Sequence, residues 1–374
     1  MILLFSFLIC AAATVFGIVP LKIKWQWKAI IFALTFITSF KFHLLRLFCG
    51  KNFFAPDLPK WLMISWSGLF AVLVFFTFFI SAYCVLMKIL KFAKVTAGKY
   101  FSRGIWYSIF LVLSITFSVF GIYNALSVPE VREYTIFFEN LPDELDNMKI
   151  AHLSDIHVDL FMTSERIAEI VRRTNSTKPD MIALTGDFVD GRANVYKEKL
   201  ADFKLLKAPL GVYGVPGNHE YYSGYAEWME TLEKLNITML QNNSVVIEEK
   251  SLVIGGATDP AAEKRQMPLP DVEKSFAGTP EGFFKILLAH QPRLAPEASK
   301  NKVDLQLAGH THGGMLFGLN MIVAATNYGY VSGLYDVGKM KLFITNGTGI
   351  WNGFPVRLMC PAEIAVLTLK KIRH

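Results

Sequence analysis

The sequence predicts an α/β domain carried behind a set of membrane-spanning helices. Three observations lead there. First, 52% of the 374 residues are hydrophobic and 18% charged, too apolar for an ordinary soluble or disordered chain. Second, the charge is split. Residues 1–129 hold 12 Lys and Arg and a single acid, Asp57, a net charge of +11, whereas residues 130–374 hold 26 basic and 30 acidic residues, net −4. The basic balance therefore flanks apolar runs, which excludes nucleic acid as an expected partner. Third, short apolar runs in the second half end in polar residues able to bind metal. The four cysteines, Cys10, Cys49, Cys84 and Cys360, show no metal spacing and imply no disulfide framework.

Residues 1–129 read as a membrane module of about four transmembrane helices, from apolar runs at 2–20, 27–48, 61–87 and 104–126. Each reaches the ~20 residues needed to cross the hydrocarbon core. The third and fourth carry no charge. The first reads as a retained helix, because it lacks the basic segment of a signal peptide despite Ala11-Ala12-Ala13. The second carries Lys41, His43 and Arg46 near its end, where they can snorkel to an interface. Lys22, Lys24, Lys28, Lys88, Lys91, Lys94, Lys99 and Arg103 lie in the 1–2 and 3–4 loops, against Lys41, Arg46, Lys51 and Lys60 between runs two and three. Eight against four puts the first set in the cytoplasm. The expectation is a multi-pass integral membrane protein whose second half lies on the non-cytoplasmic side.

Residues 130–374 form the second domain. REYTIFF (132–138), KIAHLS (149–154), MIALTG (181–186), GVYGVPG (211–217), SLVIGGA (251–257), FKILLAH (284–290), VDLQLAG (303–309), KLFITNG (341–347) and EIAVLTL (363–369) read as strands. Helical patterns fall at 164–175, with Thr163 or Ser164 as cap, and at 195–207 and 225–235. LFGLNMIVAA (316–325) reads as a buried strand; exposed, it would favour a lipid substrate or membrane contact.

Where the strands stop stand Asp155 and His157, Asp187, Asn218 and His219, His290, then His310 and His312. Open α/β sheets place their sites at such strand ends. One polar ending means little, and a lone His is more often a satisfied polar group than a ligand. Five endings in succession are hard to assign to packing. Carboxylates, imidazoles and an amide oxygen suit Mn²⁺, Fe²⁺/³⁺ or Zn²⁺ better than Ca²⁺ or Mg²⁺. Seven ligands exceed one ion, whereas two divalent ions sharing a carboxylate fit. Such a pair clamps a phosphoryl oxygen and activates a water for in-line attack. No nucleophile elbow or phosphate-cradling Gly-rich loop with Lys is present.

Ser-Asp155-Ile-His157, Thr-Gly-Asp187, Gly-Asn218-His219-Glu, the lone His290 and Gly-His310-Thr-His312-Gly-Gly resemble, in order, the five blocks of calcineurin-like metallophosphoesterases. The likeness covers about 149–369, and the ending GTGIWNGFPVRLMCPAEIAVLTL is similar to the subgroup with N-terminal transmembrane helices. The resemblance implies a two-sheet α-β-β-α sandwich. It implies that Asp155, His157 and His312 hold one metal, Asn218, His290 and His310 the other, that Asp187 bridges them, and that His219 protonates the leaving oxygen. Asp190 would orient His219, its bland reading being a solvated loop carboxylate. Arg192 reads as a surface residue more than a phosphate contact, His152 as packed in its strand, and His43 and His374 have no assigned role. Met315 stands where many relatives have Gln.

The expected function is a membrane-anchored phosphodiesterase or pyrophosphatase in which a hydroxide bridging the metals attacks phosphorus. Lipid-linked or nucleotide-linked phosphoesters are the substrates it points toward. The alternative is a non-catalytic transmembrane sensor or scaffold that binds a phosphorylated ligand, against which the intact His219 argues. A transporter would need polar groups buried in the spans.

Overall fold

The computed structural model describes residues 2–50, 58–94, 102–316, 318–351 and 353–373. Lys51, Asp57, Lys99, Phe317 and His374 lie outside the described residues. The chain divides into two compact units, Met1–Tyr123 with Gly353–Val356, and Asn124–Asn352 with Arg357–His374.

The first unit is helical. α1 (Ile2–Ala12) runs into a π-helical turn, Ala13–Ile18; then come α2 (Trp25–Ser39), α3 (Lys41–Cys49), α4 (Lys60–Phe92) and α5 (Arg103–Leu126). Only α4 and α5 are, among the described residues, single helices long and apolar enough to cross a bilayer. α2 and α3 meet at a 68° bend and make a third span if read as one broken helix. Phe40, at φ −95° and ψ 20°, leaves the helical region at that bend. The first run yields a shorter apolar helix, Leu3–Ile18, which stops before Pro20, a residue with no amide to continue the ladder. α4 and α5 pack through aromatic rings, with Phe79 stacked on Phe110 at 5.7 Å and Phe75 edge-on to Phe117 at 5.9 Å. Lys41 does not snorkel. It is 1% exposed, and its Nζ donates to Ser67 Oγ on α4 at 2.6 Å. Arg46, five residues on, is exposed.

The second unit holds twelve strands among the described residues: β1 (Glu130–Phe138), β2 (Lys149–Leu153), β3 (Met181–Thr185), β4 (Val212–Val215), β5 (Thr238–Met239), β6 (Asn243–Ile247), β7 (Leu252–Gly256), β8 (Phe284–Leu288), β9 (Leu305–Ala308), β10 (Gly333–Val337), β11 (Met340–Ile344) and β12 (Glu363–Lys371). They form two mixed six-stranded sheets, ordered β1-β12-β2-β3-β4-β5 and β10-β11-β9-β8-β7-β6. β2, β3, β4 and β5 pair in parallel, and so do β7, β8, β9 and β11. β12 is parallel to β1 and antiparallel to β2.

Alternation along the strands separates the layers. Met181 and Ala183 of β3 join Ile150, Val215, Ile254, Ile286, Leu307, Phe343 and Leu367 in a core fed by both sheets. Leu287, Ala289, Leu342 and Ile344 belong instead to a second core with Val272, Ala295 and Ala298 from short helices, Val272–Ser275 and Ala295–Lys300. The helix Ser164–Ser176 buries Ile167, Ile170 and Val171, and its first turn is capped by Thr163, whose side chain accepts from the Arg166 amide at 3.2 Å. The expected helix at 195–207 is instead one α-turn, Ala193–Tyr196, followed by a 3₁₀ run, Lys197–Leu205. Leu200, Phe203 and Leu206 are all buried at a spacing of three, the period of a 3₁₀ helix. The expected strand at 316–325 is an exposed helix, Leu319–Thr326.

Candidate metal centre

The parallel strands of both sheets end on one shared edge, and the polar residues stand in the turns just past them. These turns must reverse at once. Asp155, His157, Asp187, His310 and His312 all take left-handed backbone conformations, with φ between 49° and 71°. Such conformations cost a non-glycine residue on the order of 1 kcal/mol or more and persist where the surroundings over-determine them. Here the surroundings are backbone bonds across strand ends. The Asp155 amide donates to Gly186 O at 3.0 Å, and the His157 amide to Asp187 O at 3.0 Å. Glu220, fully buried, accepts from the amides of Gly217 (2.6 Å), Phe188 (2.8 Å) and Asp187 (3.0 Å), tying the β3 turn to the β4 turn. A side chain at Gly217 would put Cβ 2.2 Å from Asp187 Oδ1, so the close approach requires glycine.

Around Asp155 the acceptors converge in a triangle. His312 Nε2 lies 3.4 Å from Asp155 Oδ1 and 3.1 Å from His157 Nε2, and His157 Nε2 lies 3.9 Å from Asp155 Oδ1. Around Asp187 a second set forms. Asp187 Oδ2 lies 3.1 Å from His290 Nε2, and His310 Nδ1 lies 3.2 Å from the same nitrogen. Asp187 Oδ2 also stands 3.8 Å from His157 Nε2 and 3.9 Å from His219 Nε2, so one carboxylate faces both sets. Its other oxygen accepts from the His219 amide at 2.8 Å. Asn218 precedes His219 in the same turn, with its Oδ1 buried and without a hydrogen-bond partner.

This arrangement fits divalent ions. With metal–ligand bonds of ~2.1 Å, ligand atoms stand ~3.0 Å apart in an octahedron and ~3.4 Å apart in a tetrahedron, close to the 3.1–3.4 Å contacts of both sets. The groups able to hold an ion are Asp155, His157 and His312; His157, Asp187 and His219; and Asp187, His290 and His310. The orphaned Asn218 oxygen would be available as a further neutral ligand. His290 Nδ1 is 2.8 Å from Thr185 O, which leaves its Nε2 free to coordinate.

His219 differs from the others. Its Nδ1 faces Asp190 Oδ1 in a close ion pair, and Asp190 also stands 3.1 Å from His157 Nδ1. Asp190 is fully buried, so it is no solvated loop carboxylate. Burial opposes charge on His219, but Asp190 and Asp187 outweigh it and push the imidazole up to about 9. Burial, then the charge of His290, lowers His310 to about 4. Burial and the Asp187 carboxylate push Glu220 up to about 7. His152 is buried in β2 with Nε2 2.8 Å from Thr185 Oγ1, and Arg192 is exposed.

Sequence reasoning missed Arg357. Its guanidinium is fully buried, donates to Asn346 O and Gly349 O at 2.8 Å each, and lies 3.2 Å from His312 Nδ1. It also donates to His312 O at 3.3 Å and Cys360 O at 3.1 Å. The available signal was a single Arg in an otherwise apolar stretch, Phe354 to Cys360.

The profile of the calcineurin-like phosphoesterases matches residues 148–314, from β2 through the His312 turn. Over 98% of its length the chain is 31% identical to an uncharacterized metallophosphoesterase of Campylobacter jejuni, 98% of which is covered. This chain belongs to the calcineurin-like phosphoesterases. Within that family it is 33% identical to a "transmembrane protein with metallophosphoesterase domain" of Danio rerio, over 85% of this chain and 76% of that one. It is 36% identical to an uncharacterized metallophosphoesterase of Helicobacter pylori, over 67% of this chain, and spans 66% of that relative's length. The bilayer-length helices α4 and α5, together with a transmembrane relative, make this calcineurin-like phosphoesterase a membrane protein.

Proposed function

We propose that the chain is a membrane-anchored phosphohydrolase of the phosphodiesterase or pyrophosphatase type that works with two divalent ions, Mn, Fe or Zn. The observation that carries this reading is Asp187, whose Oδ2 faces His290 at 3.1 Å on one side and His157 at 3.8 Å on the other. Asp155, His157 and His312 would hold one ion, Asn218, His290 and His310 the second, and Asp187 would serve both. When bound, the ions supply Lewis acidity to a phosphoryl oxygen and acidify a water for in-line attack. The protein's own acid is His219. With Nδ1 held by Asp190, its Nε2 keeps a proton and faces the site, where it is given to the leaving oxygen. The burial of these groups strengthens each of these charge interactions.

The division into a membrane module, 1–129, and a catalytic domain, 130–374, belongs to the same reading. So does the placement of the catalytic domain outside the cytoplasm, with lipid-linked or nucleotide-linked phosphoesters as substrates. The test combines metal analysis of the purified protein with a hydrolysis screen over phosphomonoesters, diesters, nucleotide sugars and lipid phosphates. The wild type should carry two ions and cleave a diester or pyrophosphate, and Asp187→Asn should lose at least one ion. Two ions retained by Asp187→Asn at wild-type affinity would overturn the shared-ligand assignment. A fully loaded wild type that cleaves none of the four classes would overturn the hydrolase.

A further inference from the structure

The helix Leu319–Thr326 begins seven residues after His312, and its surface is unlike that of an ordinary exposed helix. None of its residues is buried, and Met321 and Ile322 are 75% and 60% exposed. A helix facing water normally carries charge on its outer side. Here no Asp, Glu, Lys or Arg occurs anywhere from Leu305 to Tyr335. Tyr328, just beyond the helix, is 71% exposed, and Met359 is 82% exposed. Met359 sits on the neighbouring loop, whose Leu358 amide donates to Met315 O at 3.0 Å. Exposed apolar groups gathered in this way mark a contact surface.

The helix is also fastened to the metal loop at both ends. At its start, a Cβ on Gly314 would stand 2.6 Å from Asn320 Cα, so the backbone of the Gly313-Gly314 turn lies directly against the first helical turn. Five residues past its end, Val331 O accepts from Thr311 Oγ1, between His310 and His312, at 2.5 Å. A force on the helix therefore reaches two proposed ligands through short, bonded connections.

We infer that Leu319–Thr326 is a membrane-contact element that lays its apolar surface into the lipid of the bilayer the chain already spans. Two facts select lipid as the occupant. The run is free of charge of either sign, which suits hydrocarbon, where charge is costly, and gives an oppositely charged protein surface nothing to recognise. And β1 begins four residues after α5 ends, so the chain itself keeps the first strand within about 14 Å of the end of a bilayer-length helix. The element holds the His310–His312 turn at the lipid boundary, where a phosphoester on a lipid headgroup is presented. The lipid contact rests on the chain's membrane character, and only the presentation of a headgroup phosphoester rests on the proposed hydrolase.

The test uses the full chain in vesicles of phosphatidylethanolamine and phosphatidylglycerol, with Cys10, Cys49, Cys84 and Cys360 replaced by Ser. An environment-sensitive fluorophore is attached at Ile322→Cys, with Met321→Cys as a second position and Lys300→Cys, exposed on the same domain, as reference. The expected result is a blue-shifted emission at 322 and 321 and a loss of intensity when acyl chains are brominated, with neither at 300. Water-like, unquenched emission at both helix positions would overturn the proposal. So would a blue shift that brominated lipid leaves intact and dilution of the protein in lipid abolishes, because a second copy of the chain would then cover the helix. No substrate or metal enters the measurement, so its failure is separate from any failure of the hydrolase reading.

Discussion

At His219 the two ring nitrogens face different partners, Nδ1 the buried Asp190 and Nε2 the open side of Asp187. Held this way, His219 would act in the proposed reaction as a proton donor with a fixed direction. His219→Ala should keep its metals, because His157, Asp187, Asp155 and the remaining imidazoles are untouched, and should lose about 10²–10⁴ in rate. The loss should shrink for nitrophenyl esters, whose leaving group needs little protonation. Equal losses for good and poor leaving groups would count against the acid role. The residues that converge here were legible because each follows a strand in a short motif. Glu220 and Arg357 were not, because each ties the backbone of its own neighbourhood to that of a segment at least 30 residues away. Glu220 binds amides at 187, 188 and 217, and Arg357 binds carbonyls at 312, 346, 349 and 360. Nothing local in a sequence announces such reach.

The elements that carry the site are short strands whose ends approach to contact distance. Gly309 shows the tolerance. A Cβ there would fall 1.9 Å from Ser154 Oγ and 2.3 Å from Asp155 Oδ2, and the next amide, of His310, donates to both Asp155 oxygens. Gly309→Ala should push β2 from β9 at this edge, lower stability by about 1–3 kcal/mol as overpacking does, and reduce bound metal. Thermal melts and metal content together decide it, and wild-type values of both would refute the packing argument. At this scale the buried strands β2, β3, β4, β7, β8 and β9 were readable as apolar runs. The strands β5, β6 and β10 were not. β5 is two residues long, and β6 and β10 are sheet edges with half-exposed faces, so burial leaves no strong pattern on them. The segment 316–325 misled because an apolar run alone does not distinguish a buried strand from an exposed helix.

For the whole molecule, the proposed orientation rests on the charge asymmetry around the apolar runs. Lys264, exposed on the second unit, gives a reporter. With the native cysteines replaced, Lys264→Cys should react with a membrane-impermeant thiol reagent on intact, sealed cells. Labelling only after the membrane is opened would reverse the proposed orientation and direct the substrate search to cytoplasmic phosphoesters. The four apolar runs were legible as composition, but the bend at Phe40 and the short first helix were not, since hydropathy carries no record of where a helix breaks. The order of strands in the first sheet has a further consequence, for biosynthesis. β12 lies between β1 and β2, so the first two strands made have no direct pairing with each other. Glu363, at the head of β12, accepts from Thr345 Oγ1, the Asn346 amide and Tyr134 Oη, and so joins β1 to the turn beyond β11. A ribosome adding about 5–20 residues per second needs on the order of ten to fifty seconds to travel from β1 to β12. Throughout that interval the nascent domain has a gap at its centre, and Arg357 and the turn at Asn346 are not yet clamped beside His312. In synthesis order, therefore, the strand that joins β1 to β2 is the last of the described strands to be made, after every polar residue at the strand ends.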